Sequence, residues 1–230
     1  MKRLKKIKSI SKNNTAKKYK VVFIDWNGTL SGSKFWGHLE YTNNDLFRKI
    51  EDTLFGSLRG LLKPWMKGEL KSEDVIRSIS DQANIPYTTI FDEFLYSCQH
   101  MELVSNEIPL LVREFQKRGS KVVIATDNMD SFTRWTARYM DLYTLYDDIL
   151  SSSSLRGMKK DINRDGNSIF FSDYIKRENL KPGDSVLIDD SPDDIETIKN
   201  FGIDYIQIEP VVGLIPALKK ILAPQQLLNI

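Results

Sequence analysis

Val21-Val22-Phe23-Ile24-Asp25-Trp26-Asn27-Gly28-Thr29-Leu30 is the stretch on which the reading of this chain turns. Four apolar residues run into an aspartate, and a Gly-Thr turn follows at once. A continuous β-branched and aromatic run is the pattern of a strand buried on both faces, as in a parallel sheet. Asp25 then stands at the carboxyl end of that strand, where open α/β sheets place their ligands. Gly28 permits a tight turn that brings backbone N–H groups close to an anion. A carboxylate and a set of amide donors are therefore expected in one crevice.

Outward from this stretch the chain changes character twice. Residues 31–38 are rich in Gly and Ser and are expected to form a loop over the site. Trp36 and His38 are open there to either ligand contact or ordinary packing and solvation. Residues 40–104 carry helical periodicity and little strand signal. One helix is expected through about Thr53, capped by Thr42 or Asn43, with Leu46, Phe47, Ile50 and Leu54 on one face. A second starts at Ser72, with Val75, Ile76 and Ile79 inward. A third opens at Pro86, with Ile90, Phe91, Phe94, Leu95 and Met101 as its apolar face. A shorter helix is expected around residues 57–66. Aromatic stripes at helical spacing are core first, so Trp65, Tyr96 and Cys98 receive no functional role.

From Asn106 helix and strand alternate. Helices are expected near 108–118, 131–140, 169–178, 195–200 and 214–222. Strands are expected at 121–126, 148–150, 185–189 and 204–208, with residues 151–168 irregular. The pattern predicts an α/β fold, a parallel sheet with helices on both faces, interrupted by an all-helical insertion. The expected boundaries are a basic tail at 1–18, an α/β core at 19–32 and 106–230, and an insertion at 33–105.

The net charge of +2 conceals an asymmetry. Of 33 Lys and Arg, nine lie in residues 1–20, which hold no acid; the other 24 face 31 acids, a net of −7. The basic tail is expected to be a disordered solubilising arm. Nucleic-acid binding rests on that tail alone and is not expected of the fold. No apolar h-region follows the tail, so a secretory signal is not expected. No apolar run approaches the length of a membrane span. Cys98 is the only cysteine, which excludes an internal disulfide and a cysteine metal cluster. A cytoplasmic location is the simplest expectation. Oligomeric state leaves no mark in the sequence.

Three of the expected strands end in oxygen-bearing side chains. The first gives Asp25. The second gives Thr126, followed by Asp127 and Asn128. The run at 185–189 gives Asp189, followed by Asp190, Ser191, Asp193 and Asp194. A parallel sheet brings such ends to one edge. Many oxygens with almost no nitrogen or sulfur favour a hard cation, Mg²⁺ over Zn²⁺.

These segments, in this order, resemble the motifs of the haloacid dehalogenase (HAD) superfamily. Asp25, Gly28, Thr29 and Leu30 match its first motif, Asp-x-Asp-Gly-Thr-Leu. Val-Val-Ile-Ala-Thr-Asp-Asn is similar to the second, with Thr126 as its hydroxyl. Leu-Ile-Asp-Asp-Ser-Pro-Asp-Asp-Ile is similar to the fourth. The resemblance implies a Rossmann-like core with an inserted helical cap and a Mg²⁺-dependent hydrolase acting on a small phosphorylated substrate. It makes Asp25 the nucleophile that forms an aspartyl-phosphate. Mg²⁺ would be held by Asp25, Asp190 and the backbone carbonyl of Asn27, with Asp189 and Asp194 as further acids. Thr126 and a third-motif lysine would hold phosphoryl oxygens, beside Trp26, Gly28, Thr29, Asp127, Asn128 and Ser191. Spacing from Gly157 favours Lys160 as that lysine, while spacing to Asp161 favours Lys159.

The chain departs from the phosphatases at Asn27, where they carry the aspartate that protonates the leaving group. An amide cannot do this, and losing general acid–base help costs about 10²–10⁴ in rate. Two alternatives stand beside a slow phosphohydrolase: a non-catalytic relative that binds phosphate or protein, and a dehalogenase-type hydrolase. The Asp189/Asp190 pair argues against the dehalogenase route, which needs no Mg²⁺.

Overall fold

β1 (Val21–Ile24) lies in the middle of a five-stranded sheet of order β3-β2-β1-β4-β5. Its neighbours are β2 (Lys121–Thr126) and β4 (Ser185–Asp189), while β3 (Asp148–Ser151) and β5 (Asp204–Gln207) are the edges. Every pairing is parallel, as the alternation of strand and helix requires. This computed structural model describes residues 18–223. Residues 1–17, which carry nearly all of the basic tail, lie outside the described residues. Ile24 is level with Ile124 and with Ile188. Asp25 and Asp189 therefore leave the sheet side by side, and Thr126 one residue beyond their level.

The chain leaves this edge after β1 and enters an all-helical block. It comprises α1 (Leu39–Thr42), α2 (Asn44–Asp52), α3 (Leu62–Met66), α4 (Ser72–Ala83) and α5 (Tyr87–Gln99). Asn43 sits between α1 and α2 and caps the second, its Oδ1 accepting from the Leu46 N–H at 3.2 Å. The helix expected to about Thr53 with Thr42 or Asn43 as its cap is α2, with α1 before it and a π-helical turn at Thr53–Ser57 after it. The helix expected around 57–66 is a 3₁₀ turn at Arg59–Leu61 running into α3.

The block has its own core. Trp36, Ile50, Leu54, Trp65, Ile76 and Phe94 are buried together in it. Trp36 is a packing residue: its ring lies 4.8 Å from that of Phe94, and its Nε1 donates to the Ile90 carbonyl at 3.0 Å. His38 is half-buried, with Nε2 2.7 Å from Glu93 Oε2. Met101, expected on the face of the third helix, lies beyond the end of α5 and packs in the α/β core instead.

The α/β half resumes with α6 (Ile108–Lys117). A π-helical turn at Phe132–Thr136, α7 (Ala137–Tyr139) and α8 (Leu142–Leu145) join β2 to β3, so the helix expected over 131–140 is broken. α9 (Ser152–Leu155) follows β3, within a segment expected to be irregular. α10 (Ser172–Arg177) and α11 (Thr197–Phe201) flank β4, and α12 (Leu214–Leu222) follows β5. Two-residue alternation along the strands divides the core. Val22, Ile24, Val122, Ile124, Val186 and Ile188 meet α6 and α12 on one face. Val21, Phe23, Val123, Ala125 and Leu187 meet α10 and α11 on the other. Among the described residues, no helix is long and apolar enough to cross a membrane.

One carboxylate ties the two halves together. Asp130, just after β2, accepts through Oδ1 from Ser72 Oγ (2.6 Å), Ser72 N–H (3.1 Å) and Trp65 Nε1 (3.1 Å). Its Oδ2 takes Arg134 Nη1 at 2.7 Å, and Arg134 also pairs with Glu73 on α4. Asp130→Ala leaves these donors without their acceptor. It is expected to cost about 3 kcal/mol, read as a lower urea midpoint.

Candidate active site

Four carboxylates gather around Lys159 at the carboxyl edge of the sheet, two of them on its ammonium. Asp25 follows β1, Asp189 ends β4, Asp190 follows it, and Asp127 follows Thr126 on β2. Lys159 enters from the segment after α9 and is 5% exposed. Its Nζ donates to Asp189 Oδ2 at 2.5 Å and stands 2.8 Å from Asp25 Oδ1. Its own backbone N–H donates to Asp127 Oδ1 at 2.9 Å. Oxygens of Asp25, Asp189 and Asp190 lie within 4.8 Å of one another.

The turn after β1 holds Asp25 in place. Gly28 N–H donates to the Ser31 carbonyl at 2.8 Å, and Ser31 N–H returns to the Trp26 carbonyl at 2.9 Å. Gly28 has φ +70°, and a Cβ there would fall 2.3 Å from Asp190 Oδ2. Glycine is needed here for both its conformation and the close approach of Asp190. The carbonyl of Asn27 accepts no backbone hydrogen bond among the described residues. Thr29 Oγ1 reaches Asp190 Oδ1 at 3.5 Å. Thr126 is wholly buried and its Oγ1 is unpaired.

The electrostatics follow from burial. Desolvation pushes the Asp25 carboxyl from 3.8 up to about 7; Lys159 pulls it down and Asp189 pushes it up. Burial likewise raises Asp127 against the pull of Lys159, and raises Asp190 with the help of Asp189. Burial alone would lower Lys159, but Asp25, Asp189 and Asp127 outweigh it and hold the ammonium charged. The crevice is therefore over-supplied with negative charge, which a cation or a protonated ligand would relieve.

The expected site residues divide clearly. Asp25, Thr126, Asp127, Lys159, Asp189 and Asp190 come together, with the backbone of Asn27 and Gly28 beside them. Lys160 does not join them: its Nζ turns outward to the Pro192 carbonyl. Asp194 is exposed and outside the carboxylate cluster. Its neighbour Asp193 is the buried one, and its Oδ2 caps the first turn of α11 by accepting from the N–H of Ile198 (3.1 Å) and Lys199 (3.3 Å). An acid shortly before a helix start is an N-terminal cap signal, and it fits Asp193 and Asp194 alike.

The ring of Trp26 falls on the Ile24 face and packs 5.0 Å from Phe132 in the core, so only its backbone N–H faces Asp25. Asn128 is buried; its N–H donates to Ser152 Oγ and its Oδ1 accepts from Met129 N–H, leaving Nδ2 unpaired. Ser191 is exposed, and its N–H donates to Asp189 Oδ1 at 2.8 Å. Sequence reasoning passed over Glu51 and Met129, which border the cavity opening from this crevice; no local pattern marks them.

The sequence matches the family model of haloacid dehalogenase-like hydrolases over residues 19–202. No curated protein matches it. A HAD family enzyme from Bacteroides thetaiotaomicron superposes with a TM-score of 0.66 at 15% identity, over 84% of this chain and 95% of that one. The same enzyme is also solved in complex with magnesium and inorganic phosphate, at a TM-score of 0.59 and 12% identity over the same shares. A predicted HAD-like family hydrolase from Porphyromonas gingivalis gives 0.63 at 15% identity, over 90% and 99%. The L-2-haloacid dehalogenase of Xanthobacter autotrophicus, with chloropropionic acid covalently bound, gives 0.57 at 12% identity, over 83% and 77%. At these identities the likeness is one of fold.

The raised carboxyl of Asp25 carries a pH signature. The folded chain holds this proton more tightly than the unfolded one. Its contribution to stability is full below about 3.8 and is lost as pH rises through about 7. In EDTA, Asp25→Asn is expected to flatten the fall in melting temperature between pH 5 and 8, a difference on the order of a few kcal/mol. Lys159→Ala leaves buried carboxylates uncompensated and is expected to cost about 3–5 kcal/mol at pH 8 and less at pH 5.

Proposed function

The chain belongs to the haloacid dehalogenase-like hydrolases, and from that premise we propose that it is a Mg²⁺-dependent phosphohydrolase acting on a small phosphorylated molecule through an aspartyl-phosphate on Asp25. One observation carries the reading. A buried aspartate at the end of the central strand shares a crevice with Lys159, 2.8 Å away, and with two further acids within 4.8 Å. That pair of acids favours this reading over a dehalogenase route, which needs no Mg²⁺.

The residues present fit Mg²⁺. Their donors are all oxygens, the choice of a hard cation. Asp25 and Asp190 with the free carbonyl of Asn27 would hold it, and Asp189 would stay with Lys159. A carbonyl ligand does not depend on the side chain, so Asn27 is compatible with metal binding. Bound there, the ion would neutralise charge on the phosphoryl oxygens. The unpaired Thr126 hydroxyl and the Lys159 ammonium support the same role from the protein side.

Asp25 attacks phosphorus, and the ester P–O bond breaks with its electron pair going to the leaving oxygen. Water then attacks phosphorus, releasing phosphate and restoring the Asp25 carboxylate. Asn27 supplies no proton at the first step and removes none at the second. Solvent must do both, so turnover is slow and favours leaving groups that depart as stable anions. The helical block serves as the cap that closes over the substrate.

Turnover of p-nitrophenyl phosphate with Mg²⁺ tests this reading. Wild type is expected to exceed Asp25→Asn clearly, and Asn27→Asp to raise kcat by about 10². No turnover above Asp25→Asn on several esters, with phosphate binding intact, makes the chain a non-catalytic phosphate-binding relative.

A further inference from the structure

A cavity of about 470 Å³ opens from the crevice between the α/β core and the helical block. It reaches the crevice at Asn27 and Gly28. A phosphoryl group at Asp25 would therefore direct the rest of its molecule into this space. The volume suits a ring with a short chain.

The chemistry of its walls is selective. Phe35, Leu54, Leu62 and Met129 line it. Phe55 does so too, although large and 51% exposed at the surface. Leu54 and Phe55 both come from the π-helical turn at Thr53–Ser57. Such turns are frequent at functional sites because they re-aim side chains. A sugar or polyol in this cavity would leave hydroxyls without partners, at a cost.

The wall carries one carboxylate with nothing to pair with. Glu51, on α2, is half-buried and takes no hydrogen bond or ion pair among the described residues. The cation that borders the same cavity, Lys34, gives its Nζ to Glu40 at 3.1 Å. Burial raises the Glu51 carboxyl, Lys34 opposes this as the nearby cation, and Glu40 and Asp52 add to it as like charges. With the acids of the crevice close by, the cavity favours a positively charged occupant.

Asn27 limits the leaving group in the same direction. An aryl oxygen departs as a phenolate and needs little proton help, whereas an alkoxide needs a great deal. We propose that the cavity receives the aromatic half of an aryl phosphate monoester that carries an ammonium group, which pairs with Glu51. This rests on the phosphohydrolase reading for the ester but not for the cavity's choice of occupant. The Asp25 oxygen bonds to phosphorus as the P–O(aryl) bond breaks. The phenolate takes its proton from water, and hydrolysis of the aspartyl-phosphate completes the cycle.

The experiment has two arms. In the first, kcat/KM is measured for tyramine phosphate, its neutral analogue ethylphenyl phosphate, and glycerol phosphate. Tyramine phosphate is expected to exceed ethylphenyl phosphate about tenfold, and Glu51→Gln to bring that ratio to about one. In the second, tyramine and ethylphenol are titrated without turnover, read by calorimetry. Tyramine is expected to bind about tenfold more tightly, again only with Glu51 present. If no ester turns over but tyramine binds through Glu51, the hydrolase reading fails and the cavity assignment stands. If esters turn over with glycerol phosphate preferred, or the ammonium preference is absent or survives in Glu51→Gln, the assignment is overturned and the hydrolase reading stands.

Discussion

The Lys159 ammonium, buried among Asp25, Asp127 and Asp189, is the contact on which this structure depends. Three acids desolvated at one sheet edge would repel one another and take up protons. A single interior cation makes their proximity tolerable, and it costs its own desolvation to be there. The pair distances of 2.5 and 2.8 Å leave little slack. The segment after α9 is therefore fastened to the ends of β1 and β4, and through its backbone to Asp127 beyond β2. What was a set of strand ends becomes one connected edge with negative charge still in excess.

That excess links stability to function. A crevice short of positive charge is unfavourable when empty at neutral pH and becomes favourable when a cation arrives. On the proposed reading, metal affinity and the pH dependence of folding share one cause, the desolvation of Asp25. Asn27 lies at the meeting point of crevice and cavity. On the proposed reading it leaves the metal and phosphoryl contacts intact and takes away only the proton shuttle. The apolar walls and lone Glu51 on the far side of Asn27 are then the chemistry through which a site without an acid selects substrates that do not need one.

The legible parts of the fold were those dominated by strong local patterns. Apolar runs ending in acids marked β1, β2 and β4, because a strand buried on both faces has no polar residue to spare. Helices failed to follow the periodicity where the backbone found other partners. Asn43 is the cap its side chain suggested, but residues 53–57 and 132–136 form π turns that no local pattern encodes. At the site, two adjacent lysines, 159 and 160, were indistinguishable by spacing. So were two adjacent acids, 193 and 194. In each pair one side chain is buried and the other exposed, a distinction created by which way the loop turns.

Sequence was sufficient for the parallel α/β architecture, the helical insertion and the buried aspartate at the end of the central strand, because hydrophobic periodicity and a Gly-Thr turn are local signals. It was likewise sufficient for the departure at Asn27, since a missing acid is a matter of composition at one position. Only tertiary structure chose Lys159 over Lys160, turned the ring of Trp26 into the core, and set Glu51 and Met129 around one cavity. Those outcomes depend on distances between segments remote along the chain. Burial converts such distances into energy, through desolvated charge and excluded water, and no stretch of sequence carries that energy alone.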